Sequence, residues 1–275
     1  MKPDEHHSVG LRWPGRPQSV ERSRSNHYLL DIDVDLAEEL DVPMRLAARP
    51  SLTAITFETD PGPVALGRWL EAAAPGPGLL IIDGLIAANV QVGDRITTDL
   101  LGQGDLIQSW NYDDAELVCV LDWRALVATR FAVLDQGFVQ RVQPWPQITL
   151  ALLRRAGKRA RRLNVLRAIS AQPRLEIRLV LLMWHLAARW GKVEPGGVRV
   201  PLPLTHQLMG HLVSAERPSV SHALSRLAKS GVITGHGDEW HLHGSVEDHL
   251  ETMSEPPVNR VAELVKSGAS SLTSR

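Results

Sequence analysis

Residues 204–243 read LTHQLMGHLVSAERPSVSHALSRLAKSGVITGHGDEWHLH, and this stretch decides the fold. Thr205 has the chemistry of an N-cap, because its oxygen can accept a free amide of the first turn. Leu208, Met209, Leu212 and Val213 then give a short helix one apolar face. Gly210 is small, as a close helix crossing requires. Ser214-Ala215-Glu216 is a turn, and a second helix starts near Arg217. Pro218 is tolerated there, since a first-turn amide has no helical partner anyway. Val220, Leu224 and Leu227 recur at spacings of four and three and face inward. Gly231 supplies the stop. Val232-Ile233-Thr234, the turn Gly235-His236-Gly237-Asp238, and Glu239-Trp240-His241-Leu242-His243 read as a β-hairpin. Helix, tight turn, helix and hairpin make a winged helix-turn-helix.

The periodicity leaves Arg217, Ser219, Ser221, His222, Ser225 and Arg226 on the outer face of the second helix. Helix-turn-helix proteins place the start of that helix against base edges. Arg217 can give guanine two parallel hydrogen bonds. Thr205, Ser219, Arg226 and Lys229 suit phosphates, which fix position without reading sequence. His236, at the tip of the hairpin, completes the candidate DNA-binding set.

Working outward, Pro173 precedes an expected helix over 174–190, with Leu175, Leu179, Leu182, Met183 and Leu186 on one face. Before it, a long helix is expected over 147–172. Ile148, Leu152, Leu153, Ala156, Ala160, Leu163, Leu166 and Ile169 form its apolar stripe, and Arg154, Arg155, Lys158, Arg159, Arg161 and Arg162 fill the rest. A stripe about 36 Å long is a candidate dimerisation seam. A further helix is expected over 123–142. Between 45 and 123, short apolar runs alternate with Gly/Asp turns: Leu52–Phe57, Leu79–Ile82, Leu85–Val92, Arg95–Leu101, Leu106–Trp110 and Ala115–Leu121. Such spacing suggests a small antiparallel roll.

Charge follows the same division. Residues 29–146 hold 7 Lys/Arg against 18 Asp/Glu, residues 147–172 hold 7 Lys/Arg and no acid, and residues 173–245 hold 8 against 5. The acidic front half repels phosphate, and the basic back half can approach it. The chain therefore divides into a disordered arm (1–28), a β-roll effector-like domain (29–146), a dimerisation helix (147–172), a winged helix-turn-helix (173–249) and a flexible tail (250–275).

Taken together, residues 45–244 resemble the CRP/FNR family of bacterial transcription regulators, most specifically from Leu204 through the hairpin. The resemblance implies an α+β fold: an antiparallel, cyclic-nucleotide-binding-like β-roll, a long dimerisation helix and a C-terminal winged helix. It implies a homodimer on a near-palindromic operator, with double-stranded DNA, a second copy and RNA polymerase as partners. The family positions matching Arg217, Pro218 and His222 are often Arg, Glu and Arg, and contact bases. This chain keeps only the first. Ser214 stands where the family turn usually carries glycine.

Cyclic-nucleotide members follow the Gly-Asp turn with Gly-Glu, a short helix and an Arg for the cyclic phosphate. Here Gly104-Asp105 leads to Leu106-Ile107-Gln108-Ser109-Trp110, and no Lys or Arg lies between Arg95 and Arg124. Asn111-Tyr112-Asp113-Asp114 replaces the helix with two acids. Cyclic AMP or cyclic GMP binding in the family's manner is not expected, and the effector is left unassigned.

The remaining exclusions are chemical. One cysteine, Cys119, precludes an internal disulfide or a thiolate zinc finger, and it reads as core. All 11 histidines lie at 6, 7, 27 or beyond 184, so the roll lacks cupin-type metal ligands. No metal and no cofactor are expected. No nucleophile–base or acid pair points to an enzyme. The competing reading is a β-roll binding or enzyme module whose helix-turn-helix mediates protein contacts. No run approaches the ~18 apolar residues of a membrane span, and the polar start is not a signal peptide. A cytoplasmic location is expected.

Overall fold

The computed structural model describes residues 21–108 and 119–253. They fall into two compact units that divide at Arg161/Arg162.

The first unit is built on two antiparallel sheets. The strands are β1 (Glu21–Tyr28), β2 (Thr53–Thr59), β3 (Gly62–Pro63), β4 (Gly78–Asp83), β5 (Leu85–Val92), β6 (Arg95–Gly102), β7 (Leu106–Ile107), β8 (Val120–Ala125) and β9 (Thr129–Leu134). One sheet has the order β1-β2-β9-β4-β7 and the other β3-β8-β5-β6. The first sheet is apolar on both faces. Ile81, Phe131 and Val133 join Trp69, Ile86, Leu101 and Trp123 in a core between the sheets. Leu80, Ile82, Ala132 and Leu134 pack on the other side against a helical layer. That layer comprises α1 (Leu29–Ile32), a 3₁₀ turn (Val34–Ala37), α2 (Val42–Ala48), α4 (Gln136–Val142) and the start of α5 (Pro146–Ser170). A further helix, α3 (Gly67–Ala73), closes one end through Trp69, whose ring stacks 4.2 Å from that of Phe57.

Three expectations are corrected here. Residues 21–28 are not a loose arm: β1 pairs with β2, Tyr28 opposite Thr53. Residues 1–20 lie outside the described residues. Residues 123–142 are not one helix but β8, β9 and the seven-residue α4. Phe131-Ala132-Val133-Leu134 misleads because β9 is buried on both faces, so the period-2 alternation that marks a strand vanishes. The expected strand over 115–121 lies outside the described residues as far as 118, and β8 starts at Val120. Cys119, expected in the core, is only half-buried.

The long helix is where the sequence placed it, but its stripe is two stripes. Ile148 and Leu152 are buried in the first unit's core. Leu153 and Leu163, 63% and 41% exposed, lie with the exposed Ala156 and Ala160 along the flank beside that buried face. Two of the arginines that fill the rest of the helix are clamps. Arg155 pairs through both terminal nitrogens with Asp33, which is 2% exposed. Arg159 donates to Asp99 and to the Leu106 carbonyl, each at 3.0 Å. Burial disfavours the charge on Arg155, but its hydrogen bonds to the Asp33 carboxylate outweigh it and hold the guanidinium protonated.

The second unit contains α6 (Leu175–Trp190), β10 (Lys192–Glu194), β11 (Gly197–Val200), α7 (His206–Val213), α8 (Arg217–Lys229), β12 (Ile233–His236), β13 (Glu239–His243) and α9 (Val246–Met253). Its sheet has the order β10-β11-β13-β12, so the expected two-stranded wing is part of a four-stranded sheet. Residues 250–253, read as tail, continue α9. The helical turn expected at 261–265 lies outside the described residues. No helix among the described residues is long and apolar enough to cross a membrane.

Candidate nucleic-acid interface

The interface is organised by the turn between α7 and α8. Thr205 caps α7, its hydroxyl oxygen accepting the Leu208 amide at 3.1 Å. Ser214 ends α7 in the left-handed region at φ 54°, and it is the one non-glycine residue with positive φ among the described residues. A side chain there is strained by about 1–2 kcal/mol, which accounts for the glycine usual at this turn. Arg178 on α6 donates to the Val213 carbonyl at 2.8 Å, placing a cation at the C-terminal end of α7.

Gly210 is required by the turn rather than by side-chain packing between the helices. A Cβ at Gly210 would sit 2.4 Å from the Ala215 carbonyl oxygen, and the Ala215 amide donates to the Gly210 carbonyl at 2.9 Å. Gly210→Ala should therefore open the turn and cost about 1–3 kcal/mol. Urea unfolding of the full chain checks this, and a loss below about 0.5 kcal/mol would show that the turn can relax.

α8 buries Val220, Ala223, Leu224 and Leu227. At about 100° per residue, Pro218, His222, Ser225 and Lys229 form the opposite crest, and all four are exposed. Arg217 is exposed in the first turn, where helical side chains point back past the N-terminus. Ser219 is also exposed. Ser221 is not a free reader. It is half-buried on the flank facing α7, donates to the Arg217 carbonyl at 3.0 Å, and lies 2.8 Å from His206 Nδ1. Arg226, on the opposite flank, is held by Glu176 in the first turn of α6. Burial works against the Glu176 charge, but the Arg226 hydrogen bonds prevail and keep its carboxyl below the usual carboxylate range.

On the wing, His236 is exposed at the end of β12, and its ring meets that of His241 edge-on at 6.1 Å. His243 lies 3.1 Å from the Thr234 hydroxyl. No group of three or more metal-ligating side chains occurs among the described residues. Sequence reasoning missed Glu176 and Arg178, whose partners are distant in the chain. His206, which braces Ser221, was missed as well.

Two histidines behind this surface give the unit a pH dependence. Burial lowers the His185 pKa below its ordinary 6.5, helped by the Arg162 charge. Burial likewise lowers that of His211, against a smaller opposite pull from Glu216. The folded unit binds these protons more weakly than the unfolded chain. Stability should therefore be full above 6.5 and fall as pH drops through that value. Unfolding midpoints at pH 7.5 and 5.5 test this, and His185→Gln with His211→Gln should flatten the difference.

Residues 177–243 match the Crp-like helix-turn-helix domain family. No curated protein sequence matches the chain. Three solved structures share its fold. FixK2 from Bradyrhizobium japonicum has a TM-score of 0.54 at 14% identity, covering 74% of this chain and 99% of its own. CLP from Xanthomonas campestris, described as a c-di-GMP responsive global regulator, scores 0.52 at 17% identity, covering 78% and 100%. A CooA mutant from Carboxydothermus hydrogenoformans scores 0.51 at 19% identity, covering 64% and 78%. Residues 177–243 are thus a Crp-like helix-turn-helix domain, and the chain has the fold of the CRP/FNR-type DNA-binding transcription regulators.

Proposed function

We propose that this protein is a homodimeric, sequence-specific transcription regulator that reads a near-palindromic operator without cyclic AMP. The observation that carries the reading is the crest of α8. A helix anchored by four buried apolar residues presents Arg217, Pro218, Ser219, His222, Ser225 and Lys229 to solvent. Arg217 and His222 are assigned to base edges, Ser225 to close backbone approach, and Ser219, Lys229, Thr205 and His236 to the phosphate backbone. Ser221 orients Arg217 and His206 rather than touching bases. Pro218 and His222, the departures from the family, both lie on the crest, so the operator is this protein's own.

Dimerisation is assigned to the second stripe of α5, where Leu153, Ala156, Ala160 and Leu163 are exposed along the flank beside the buried Ile148–Leu152 face. Small residues between two leucines permit close helix approach.

Independence of cyclic AMP rests on charge. The Asp105 carboxylate accepts the Gly102 amide at 3.0 Å, so the turn turns an anion back onto its own backbone. The guanidinium that reaches this turn belongs to Arg155, and Asp33 engages it. A cyclic phosphate needs a cation that is not already neutralised. Titration calorimetry with cyclic AMP should give no binding heat at micromolar ligand.

Two measurements on the purified full chain test the proposal. Light scattering should give a dimer. DNA affinity should fall steeply and linearly in log salt, as counterion release requires. A monomer, or an affinity indifferent to salt, would contradict it.

A further inference from the structure

We propose that Glu176 is a specificity-determining residue: it masks Arg226 and so holds down this head's attraction for DNA of any sequence. The inference rests on the assignment of α8 as the DNA-reading helix. Arg226 lies on the outer half of α8, 62% exposed at its side chain, and both its Nε and one Nη donate to a single Glu176 oxygen. Glu176 comes from the first turn of α6, 50 residues earlier, and its own side chain is only 21% exposed. It is therefore the anchored member of the pair, and Arg226 is the arm folded onto it.

Three sources of positive potential fix the carboxylate in place. These are its own backbone amide at the start of α6, the Arg226 guanidinium and the Arg174 charge. A carboxylate so placed stays ionised at neutral pH. Its consequence for DNA is electrostatic. An unpaired arginine on this flank would neutralise a phosphate whatever the base sequence, and each phosphate so neutralised steepens the salt slope by about 0.9. Paired with Glu176, Arg226 contributes no net charge. The base-reading crest is untouched, so the mask lowers non-specific affinity while leaving discrimination intact. This suits a head whose crest carries one lysine, one histidine, one serine and one proline. Its sequence contacts are few and would be swamped by a strong general attraction to phosphate.

The test compares E176Q, R226Q and the double variant with the parent, measuring binding of the full chain to a short random-sequence duplex over a salt series. E176Q keeps the hydrogen-bonding oxygen and removes the charge. It should tighten binding about two- to fivefold and steepen the slope by about 0.9. R226Q, which leaves the Glu176 carboxylate uncompensated, should weaken binding modestly, and the double variant should return to the parent's affinity and slope. Thermal unfolding of each variant separates these effects from misfolding. Weaker binding by a folded E176Q would overturn the proposal and make Glu176 an orienting support. Weaker binding by R226Q with E176Q unchanged would overturn masking while leaving α8 as the DNA-reading helix. No change in any variant would overturn it too, by removing this flank from the DNA, and loss of all duplex binding in the parent would instead refute the DNA-reading assignment itself.

Discussion

Replacing Arg217 with alanine is expected to weaken operator binding by about 1–3 kcal/mol, or roughly 5- to 150-fold, while barely affecting random DNA. The expectation follows from position. Arg217 is exposed in the first turn of α8, and its backbone carbonyl is fixed by the Ser221 hydroxyl at 3.0 Å. Its side chain runs past the N-terminus of the helix, where a helix entering the major groove meets base edges. An arginine that reads guanine loses discrimination when truncated, whereas one that holds a phosphate loses affinity for every sequence equally. Parallel titrations with the selected operator and a scrambled duplex tell the two apart. An equal loss on both would make Arg217 a phosphate contact.

The second large effect is on the first unit. Asp33→Ala should destabilise it by about 3–5 kcal/mol, because it strands the Arg155 charge in a site built for a pair. The Asp33 side chain is 2% exposed and that of Arg155 15%. The pair fastens α5 to the turn after α1, beside Gly104 of the β6–β7 turn. Replacing both partners with apolar residues of similar size should recover most of the loss. Unfolding in urea reads this directly. A single substitution costing less than about 1 kcal/mol would mean that water reaches the freed guanidinium.

The two units differ in how much of them the sequence discloses. The winged helix is legible because its signals are local: the Thr205 cap, the apolar positions of α7 and α8, and the stop at Gly231 all lie within 27 residues. Even the strain at Ser214 shows, as a serine where the turn wants glycine. The β-roll is legible where Gly/Asp turns punctuate it, as at Asp83-Gly84 and Gly93-Asp94. It fails at β9, where burial on both faces erases the alternation. β1 was hidden in an Arg- and Ser-rich segment whose pairing with β2 leaves no periodic trace.

The candidate site divides on the same line. Exposure of Arg217, His222 and Ser225 follows from helical spacing. The engagement of Ser221 by His206, Arg226 by Glu176, and Arg155 by Asp33 does not, since these partners are 15, 50 and 122 residues apart. Charged residues on a helix read as a solvated face until the fold supplies the opposite charge. This is why the arginines of α5 looked uniform in sequence, although the structure separates the half-buried clamps Arg155 and Arg159 from the more exposed positions.

The central claim is that two copies of this chain read DNA through paired α8 helices. The most direct measurement is selection of bound duplexes from a random library by the purified full chain, followed by sequencing. Two α8 helices should meet successive major grooves about 34 Å apart. The selected pool should therefore converge on an inverted repeat with half-sites about one helical turn apart, guanine enriched at the position that R217A relaxes. A pool that converges on a single half-site, or shows no motif at all, would contradict the account.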